Sequence, residues 1–280
     1  YMFQQISIIG PGFLGASLAL ALKSLGLCQR IHVWSLRPET RAKALQTDWC
    51  DATFDHAPEA CKGSELVIIC TPVETIVPIL KEIAPSFDKE TLITDVGSTK
   101  KTICQEASSI NGEFNFIGSH PMAGSEKTGM LYARADLFQG AACILTPNED
   151  AQNAQIAQLH QLWESIGMHV VTTSPEKHDE IVAHISHLPH LLATSLSSYL
   201  HEKENGWNQL AGGGLRDTTR VASGDPDLWR QILEHNREDV LRAIDGFQGE
   251  LQALKTSLLN KDSADLMARL DRGKRFRDQL

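Results

Sequence analysis

Residues 6–19 read I-S-I-I-G-P-G-F-L-G-A-S-L-A, an apolar run punctuated by Gly10, Gly12 and Gly15 and followed at once by a helix-forming stretch. The spacing is G-x-G-x-x-G at a strand-to-helix junction. There Gly10 allows the tight turn, Gly12 lets backbone amides approach a pyrophosphate, Gly15 permits close packing of helix on strand, and the helix N-terminus stabilises the anion. Working outward, short β-type runs at 5–9, 30–34, 66–70, 92–95, 115–118, 142–146 and 169–172 alternate with helical stretches. That alternation predicts a parallel sheet covered by helices. The stretch 16–25 is rich in Ala and Leu and stops at Gly26, a C-cap signal. The fold class is α/β, with a Rossmann-type dinucleotide-binding domain over residues 1–174.

From Ser174 the character changes. Apolar residues recur at helical spacing through 181–200, 228–259 and 264–270, and no further run of alternating β-branched residues appears. Ser174, Pro175 and Glu176 read as N-cap, N1 proline and acidic first turn, so an all-α domain is expected over 175–280. Asn205-Gly206 and Gly212 to Gly214 mark loops between its helices, and neither an internal repeat nor a low-complexity tract is present.

The chain has 280 residues, with 26 Lys plus Arg against 35 Asp plus Glu, a formal net charge of -9. Such a surface repels a polyphosphate backbone, so nucleic acid is not an expected partner. No apolar stretch approaches the roughly 20 residues needed to span a bilayer, and no charged-then-apolar leader opens the sequence, so a soluble, cytoplasmic protein without membrane contact is expected. Six cysteines, Cys28, Cys50, Cys61, Cys70, Cys104 and Cys143, lack any C-x-x-C pair or zinc-type clustering with histidine. They read as reduced thiols used as small core residues, with no bound metal.

The end of the second strand bears on which dinucleotide binds. NAD-preferring sites place Asp or Glu there to hold the ribose 2′-hydroxyl; here the residue is Ser35, with Arg37 and Arg41 following. The arginines can neutralise a 2′-phosphate or stand as solvated surface residues, so NADP is favoured over NAD without excluding it.

Downstream, residues 116–129 read F-I-G-S-H-P-M-A-G-S-E-K-T-G and place His120 just past a strand end, between glycines that suggest a special loop geometry. With an unperturbed pKa of about 6.5 it can accept a hydroxyl proton at neutral pH. Residues 178–190 read H-D-E-I-V-A-H-I-S-H-L-P-H. At about 100° per residue His178, Ser186 and His190 share a face, whereas His184 and His187 project elsewhere, and Pro189 should bend the helix beside that face. Residues 212–229, G-G-G-L-R-D-T-T-R-V-A-S-G-D-P-D-L-W, offer Arg216 and Arg220 after a flexible glycine run. Such an arginine can grip a substrate carboxylate bidentately or pair structurally with Asp217 or Asp225.

Together these segments resemble the prephenate/arogenate dehydrogenase family of tyrosine biosynthesis, from the first strand to about Gly249. The glycine motif, T-D-V-G-S-T-K with Asp95 and Ser98, G-S-H-P-M-A-G-S-E-K with His120 and Glu126, S-H-L-P-H with Ser186 and His190, and G-G-G-L-R-D-T-T-R with Asp217 and Arg220 stand in the family's order. The resemblance implies oxidative decarboxylation of prephenate to 4-hydroxyphenylpyruvate. His120 would take the C4 hydroxyl proton, Ser98 would hydrogen-bond that hydroxyl or His120, and Arg220 would hold the ring carboxylate. His178, Ser186, His190, Asp217, Gly213 and Trp229 would line the substrate cleft, Trp229 reading equally well as a core aromatic, and Glu126 would join Arg220 in a charged gate. Gly10, Gly12, Phe13, Leu14, Gly15, Ser35, Arg37, Thr71, Pro72 and Asp95 would form the dinucleotide site.

Ser35 replaces the acidic residue of NAD-preferring members. Arogenate-preferring relatives carry an acidic residue two positions past the motif's last glycine; Leu131 stands there, and with His190 present prephenate is favoured, an arogenate or dual-specificity cyclohexadienyl dehydrogenase being the alternative. The family implies a homodimer through the helical domain. With no regulatory module after Leu280, tyrosine feedback would act at the active site. A 3-hydroxyacid dehydrogenase would need a catalytic lysine at a glycine-rich helix start, which the second half does not offer, and a non-catalytic nucleotide sensor would not require His120, Ser98 and Arg220 together.

Overall fold

The computed structural model describes all residues except 88, 126 and 205. Its first sheet has six parallel strands: β1 (Phe3–Ile9), β2 (Cys28–Trp34), β3 (Ala52–Phe54), β4 (Leu66–Ile69), β5 (Leu92–Asp95) and β6 (Asn115–Phe116). Their spatial order, β3-β2-β1-β4-β5-β6, reverses direction at β1 and β4. At such a switch point the loops leaving the two strands splay apart and open a crevice, here bordered by Gly10 to Gly12 after β1 and by Thr71 and Pro72 after β4.

Parallel strands covered on both faces must be apolar throughout, and β4 is, with Leu66, Val67, Ile68 and Ile69 all fully buried. Alternate residues feed two cores. Ile6, Ile8, Leu66 and Ile68 pack with α1 (Phe13–Ser24) and with Trp163 further along the chain, whereas Ile9, Val67, Ile69 and Ile93 pack on the opposite face. Each such side chain contributes about 1.5–3 kcal/mol on burial. The helices α2 (Pro38–Leu45), α3 (Ala57–Cys61), α4 (Val73–Ile83) and α5 (Lys101–Ser108) connect the strands.

The structure corrects the wholly parallel sheet. The run at 115–118 is two strands in two sheets: β6, and β7 (Gly118–Pro121), which pairs antiparallel with β8 (Ala142–Thr146). After α6 (Asn153–Ser165), β9 (His169–Thr172) adds parallel to β8. The cause is local. The Ile117 amide still donates to the Ile93 carbonyl at 2.9 Å, but the Ser119 amide instead reaches the Asp95 carboxylate at 3.3 Å, so a side chain replaces the main-chain acceptor and the strand peels away. Gly118 makes the passage possible, since a Cβ there would lie 2.4 Å from Thr146 Oγ1 and 2.9 Å from Cys104 Sγ. His120 therefore sits within a strand of the second sheet, not past a strand end.

No strand follows Thr172 among the described residues. The helical half holds α7 (Pro175–Val182), capped by Ser174 as its sequence suggests, a widened π-helical turn (Ala183–His187), α8 (Leu188–His201), α9 (Gly213–Thr219), a 3-10 turn (Arg220–Ser223), α10 (Pro226–His235), α11 (Arg237–Leu259) and α12 (Ser263–Arg277). Contacts group residues 1–236 into one compact unit and 237–280 into a second. In the first, α10 docks on α4: Ile232 joins the same core as Ile76 and Leu80, Arg230 pairs with Glu74 at 2.9 Å, and the Glu74 amide donates to Gln231 at 3.3 Å. In the second, Asp262 caps α12, and Arg269 and Arg272 pair with Glu250 of α11.

All six cysteines are unpaired and five are buried. Among the described residues no helix is long and apolar enough to cross a membrane, and no cluster of side chains fits a metal ion.

Candidate active site

The glycine loop carries the geometry that its spacing implies. Gly10 adopts φ +94°, and a Cβ there would lie 2.7 Å from Thr71 Cγ2; a Cβ on Gly15 would lie 2.2 Å from the Gly10 carbonyl oxygen. Both positions admit only glycine. Gly12 differs, because a Cβ there would meet nothing within 4 Å, which leaves its outer face open to a ligand. Gly12 also caps α1 without any side-chain hydrogen bond, so the amides of the first turn lack a protein acceptor among the described residues. Beside them the Thr71 hydroxyl is buried with no partner among the described residues. Half-buried Phe13 and Leu14 and exposed Pro72 complete the rim. Free helix-start amides, an orphaned hydroxyl and an open glycine face fit a pyrophosphate.

Ser35 follows β2 at the edge of this crevice, and the two arginines after it separate. Arg41 Nη1 donates to the Ser35 carbonyl at 2.7 Å and Nη2 pairs with Asp55 at 2.8 Å, so its guanidinium holds the loop together and is not available to a 2′-phosphate. Arg37 is exposed, and its guanidinium makes no hydrogen bond or ion pair among the described residues. Asp95 is fully buried, accepts from Lys100 Nζ at 2.5 Å and from the Gly97 and Ser119 amides, and so shapes the loops around the crevice. Ser98, half-buried, lies on that same loop.

His120, 7% exposed, faces the helical half from β7. Its Nδ1 lies 2.8 Å from His178 Nε2, and His178 Nδ1 lies 2.7 Å from Asp179 Oδ1. Asp179 is itself held: Oδ1 accepts from the Lys100 amide at 2.8 Å and Oδ2 from the Lys101 amide at 3.1 Å, at the N-terminus of α5. The tautomers follow by elimination. A carboxylate only accepts, so His178 carries its proton on Nδ1 and offers a lone pair at Nε2; His120 must then donate from Nδ1, leaving Nε2 as a lone pair. Burial, reinforced by His178, Lys100 and His187, holds the His120 pKa well below the usual imidazole range, so the ring stays neutral. His178 is lowered too, burial outweighing the hydrogen bond from its ring to Asp179.

His178 is thus fully buried behind His120, where the sequence placed it on the substrate cleft. The helical face also differs. His187 was expected to project elsewhere, yet it is fully buried and close enough to lower the His120 pKa. The widened turn explains this: bonds spanning five residues advance each residue by less than 100°, so His187 lags back toward the side of His178. Pro189, in the first turn of α8, has no amide to give the regular ladder and ends the wide turn, in place of a kink within one continuous helix. Ser186 is half-buried and His184 exposed.

His190, 6% exposed, stacks on Trp229 with centroids 3.6 Å apart and planes at 7°. A Cβ on Gly224 would intrude on this stack at 2.5 Å from Trp229 Nε1. His190 hydrogen-bonds the Val221 carbonyl, and its Nδ1 is buried without a partner among the described residues. Val221 neighbours Arg220, so the turn carrying that arginine is fastened to the His190 helix, with the Arg220 side chain exposed. Asp217 and Gly213 are exposed on α9, and Glu126 lies outside the described residues.

Four side chains of this cluster escaped the sequence reading: Asp179, Lys100, His187 and Asn236. The signals were present for two of them, since Asp179 directly follows His178 and Lys100 closes T-D-V-G-S-T-K; nothing in the spacing marked Asn236.

Comparison with known proteins bears on this site. Residues 18–172 match the family model for the nucleotide-binding domain of prephenate dehydrogenase, and residues 174–272 match the model for its dimerization domain. The prephenate dehydrogenase of Bacillus subtilis is 37% identical over 284 residues, covering 100% of this chain and 76% of its own. The cyclohexadienyl dehydrogenase of Zymomonas mobilis is 31% identical, covering 95% and 92%. The crystal structure of prephenate dehydrogenase from A. aeolicus in complex with hydroxyphenyl propionate and NAD+ superposes with a TM-score of 0.92 at 32% identity, covering 99% of this chain and 98% of that one.

Proposed function

This chain belongs to the prephenate dehydrogenase family, and from that premise we propose that it converts prephenate to 4-hydroxyphenylpyruvate and CO2 in tyrosine biosynthesis. It is a nicotinamide-dependent oxidoreductase. The observation that carries the mechanism is the Asp179, His178, His120 chain, which leaves the Nε2 of the buried His120 unprotonated. A bound dinucleotide supplies the hydride acceptor. His120 takes the C4 hydroxyl proton as that carbon is oxidised and returns it to the phenolic oxygen when loss of the ring carboxylate restores aromaticity. Asp179, whose carboxylate accepts two amides at the start of α5, stabilises the positive charge that appears on the imidazole pair.

In this reading Arg220 holds the ring carboxylate, Ser98 hydrogen-bonds the C4 hydroxyl, and Ser186, His190, Trp229, Gly213 and Asp217 border the substrate, with Glu126 completing the gate. Prephenate is preferred to arogenate because no acid stands at Leu131, which is 90% exposed, to hold the ammonium that distinguishes arogenate. NADP stays ahead of NAD on Arg37 alone, now that Arg41 is committed to Asp55. A homodimer forms through the helical half, where α11 and α12 expose Leu251, Leu258, Met267 and Leu270; light scattering of the purified protein checks it.

Initial rates with prephenate and arogenate, each crossed with NAD+ and NADP+, test the proposal. Reduction with prephenate is expected. Equal rates with arogenate would establish dual specificity, and no reduction with either substrate would remove the assignment.

A further inference from the structure

Asn236 ends α10 and is 3% exposed. It lies seven residues after Trp229, whose ring meets His187 and His190, so α10 presents an aromatic ring and an amide to the segment that carries the histidines. Its Nδ2 donates to the Asp179 carbonyl at 2.8 Å and lies 3.2 Å from His187 Nδ1. The first contact settles the amide's orientation, because a carbonyl oxygen only accepts and the atom facing it must be the NH2 group. The second hydrogen of that NH2 then points to His187, whose Nδ1 must be a lone pair. His187 is therefore neutral with its proton on Nε2, an atom buried without a partner among the described residues.

The surroundings of His187 give this tautomer a consequence. Asp179 and His178 face it from α7 and His190 from α8, while the Trp229 ring stands edge-on at 6.1 Å and 84°. His187 in turn acts on His120 in β7, which also feels His178 and Lys100. Burial and the two neighbouring histidines outweigh Asp179 and hold the His187 pKa down to about 4. A cation at this position would oppose protonation of His120 in the step that the reaction requires.

We propose that Asn236 is a positioning residue for the base relay: it anchors the main chain of Asp179 and locks His187 as a neutral Nδ1 acceptor, so that no positive charge forms beside His178 and His120. The proposal rests on His120 being the base, as argued above. A carboxylate at position 236 would reverse the lock. It cannot donate to the Asp179 carbonyl, and it would draw a proton onto His187 Nδ1 and favour the imidazolium.

Long-range proton-nitrogen NMR on protein labelled at histidine, with His187 identified by its loss in His187→Gln, reads the tautomer without reference to activity. The wild type is expected to show His187 protonated on Nε2 only, with no titration between about pH 6 and pH 8. Asn236→Asp is expected to place a proton on Nδ1 and to bring the His187 titration into that window. Its kcat/KM for prephenate should fall about tenfold from pH 8 to pH 6, where the wild type stays level, with the KM for dinucleotide unchanged. A wild-type His187 protonated on Nδ1 overturns the proposal whether or not the variant folds, as does a folded Asn236→Asp whose acid limb matches the wild type. Failure of the wild type to oxidise prephenate would strike the functional reading instead, leaving the NMR result to stand by itself.

Discussion

His178 separates two accounts of this site, because sequence spacing puts it against the substrate whereas the structure buries it completely behind His120. In His178→Leu the imidazole of His120 keeps its place in β7 but loses the acceptor 2.8 Å from Nδ1. A buried N–H left without a partner costs about 1–3 kcal/mol. The ring escapes that cost by moving its proton to Nε2 or by turning, and either change removes the lone pair that accepts the substrate proton. At about 1.4 kcal/mol per tenfold, the productive form becomes rarer by about 5- to 150-fold, and kcat falls by that factor. His120→Asn, which deletes the base itself, should cost about 10² to 10⁴. Steady-state rates at saturating dinucleotide, followed by the absorbance of the reduced nicotinamide, give both parameters. KM for prephenate should stay within about twofold, since a side chain with no exposed surface does not contact substrate. A raised KM with normal kcat would put His178 on the cleft wall and sink the relay.

Gly12→Ala should fold with stability within about 0.5 kcal/mol of wild type, because its Cβ meets nothing within 4 Å, yet weaken dinucleotide binding at least about tenfold by calorimetric titration; unchanged binding would mean that the pyrophosphate lies elsewhere. Arg220→Gln should raise KM for prephenate more than it lowers kcat, and an unaltered KM would remove Arg220 from the carboxylate. Stability should fall on mild acidification. His120, His178, His187 and His190 all have native pKa values below the ordinary 6.5, so the unfolded chain binds protons first; their contribution is complete above about pH 6.5 and is lost as pH drops. His187 alone, held at about 4, accounts for on the order of 3 kcal/mol by the time the pH reaches that value. Urea unfolding at pH 7 and pH 5 reads the change, and equal midpoints would contradict neutral burial of these rings.

Strands of both sheets were legible because they obey local rules. β5, β8 and β9 fall where their apolar runs stand, and Ser174 caps α7 as its position beside Pro175 suggests. β3 escaped because three half-buried residues, Ala52 to Phe54, carry no periodicity. The break at Gly118 escaped for a different reason: the amide that should have continued the ladder is taken by Asp95, a side chain 24 positions away in sequence. The histidine segment shows the same limit. Spacing put His178 and His190 on one face and His187 elsewhere, but that argument assumes a constant turn, and the π-helical turn between them brought in His187. Residues that act on other residues, such as Asp179 and Asn236, leave little trace in a pattern, since their partners are distant in sequence.

Lys100 shows why such residues matter together. Its side chain is fully buried against Asp95, and a buried ion pair roughly breaks even once desolvation is counted, so its net contribution to stability is small. Its position gives it a different use. The ammonium fixes Asp95, whose other oxygen takes the Ser119 amide and turns β7 out of the first sheet, while the Ser119 hydroxyl is gripped by Thr94 and Trp163. The amide of the same lysine holds Asp179 at the far end of the relay. One residue therefore sets the strand beneath His120 and the carboxylate behind His178, and its charge opposes protonation of both rings. A hydrophobic replacement of the ion pair would serve packing equally well and would keep the main-chain hold on Asp179, but would lose the turn of β7 and the charge beside the two rings. The pair is explained by the placement of His120 and His178 and not by the stability of the fold.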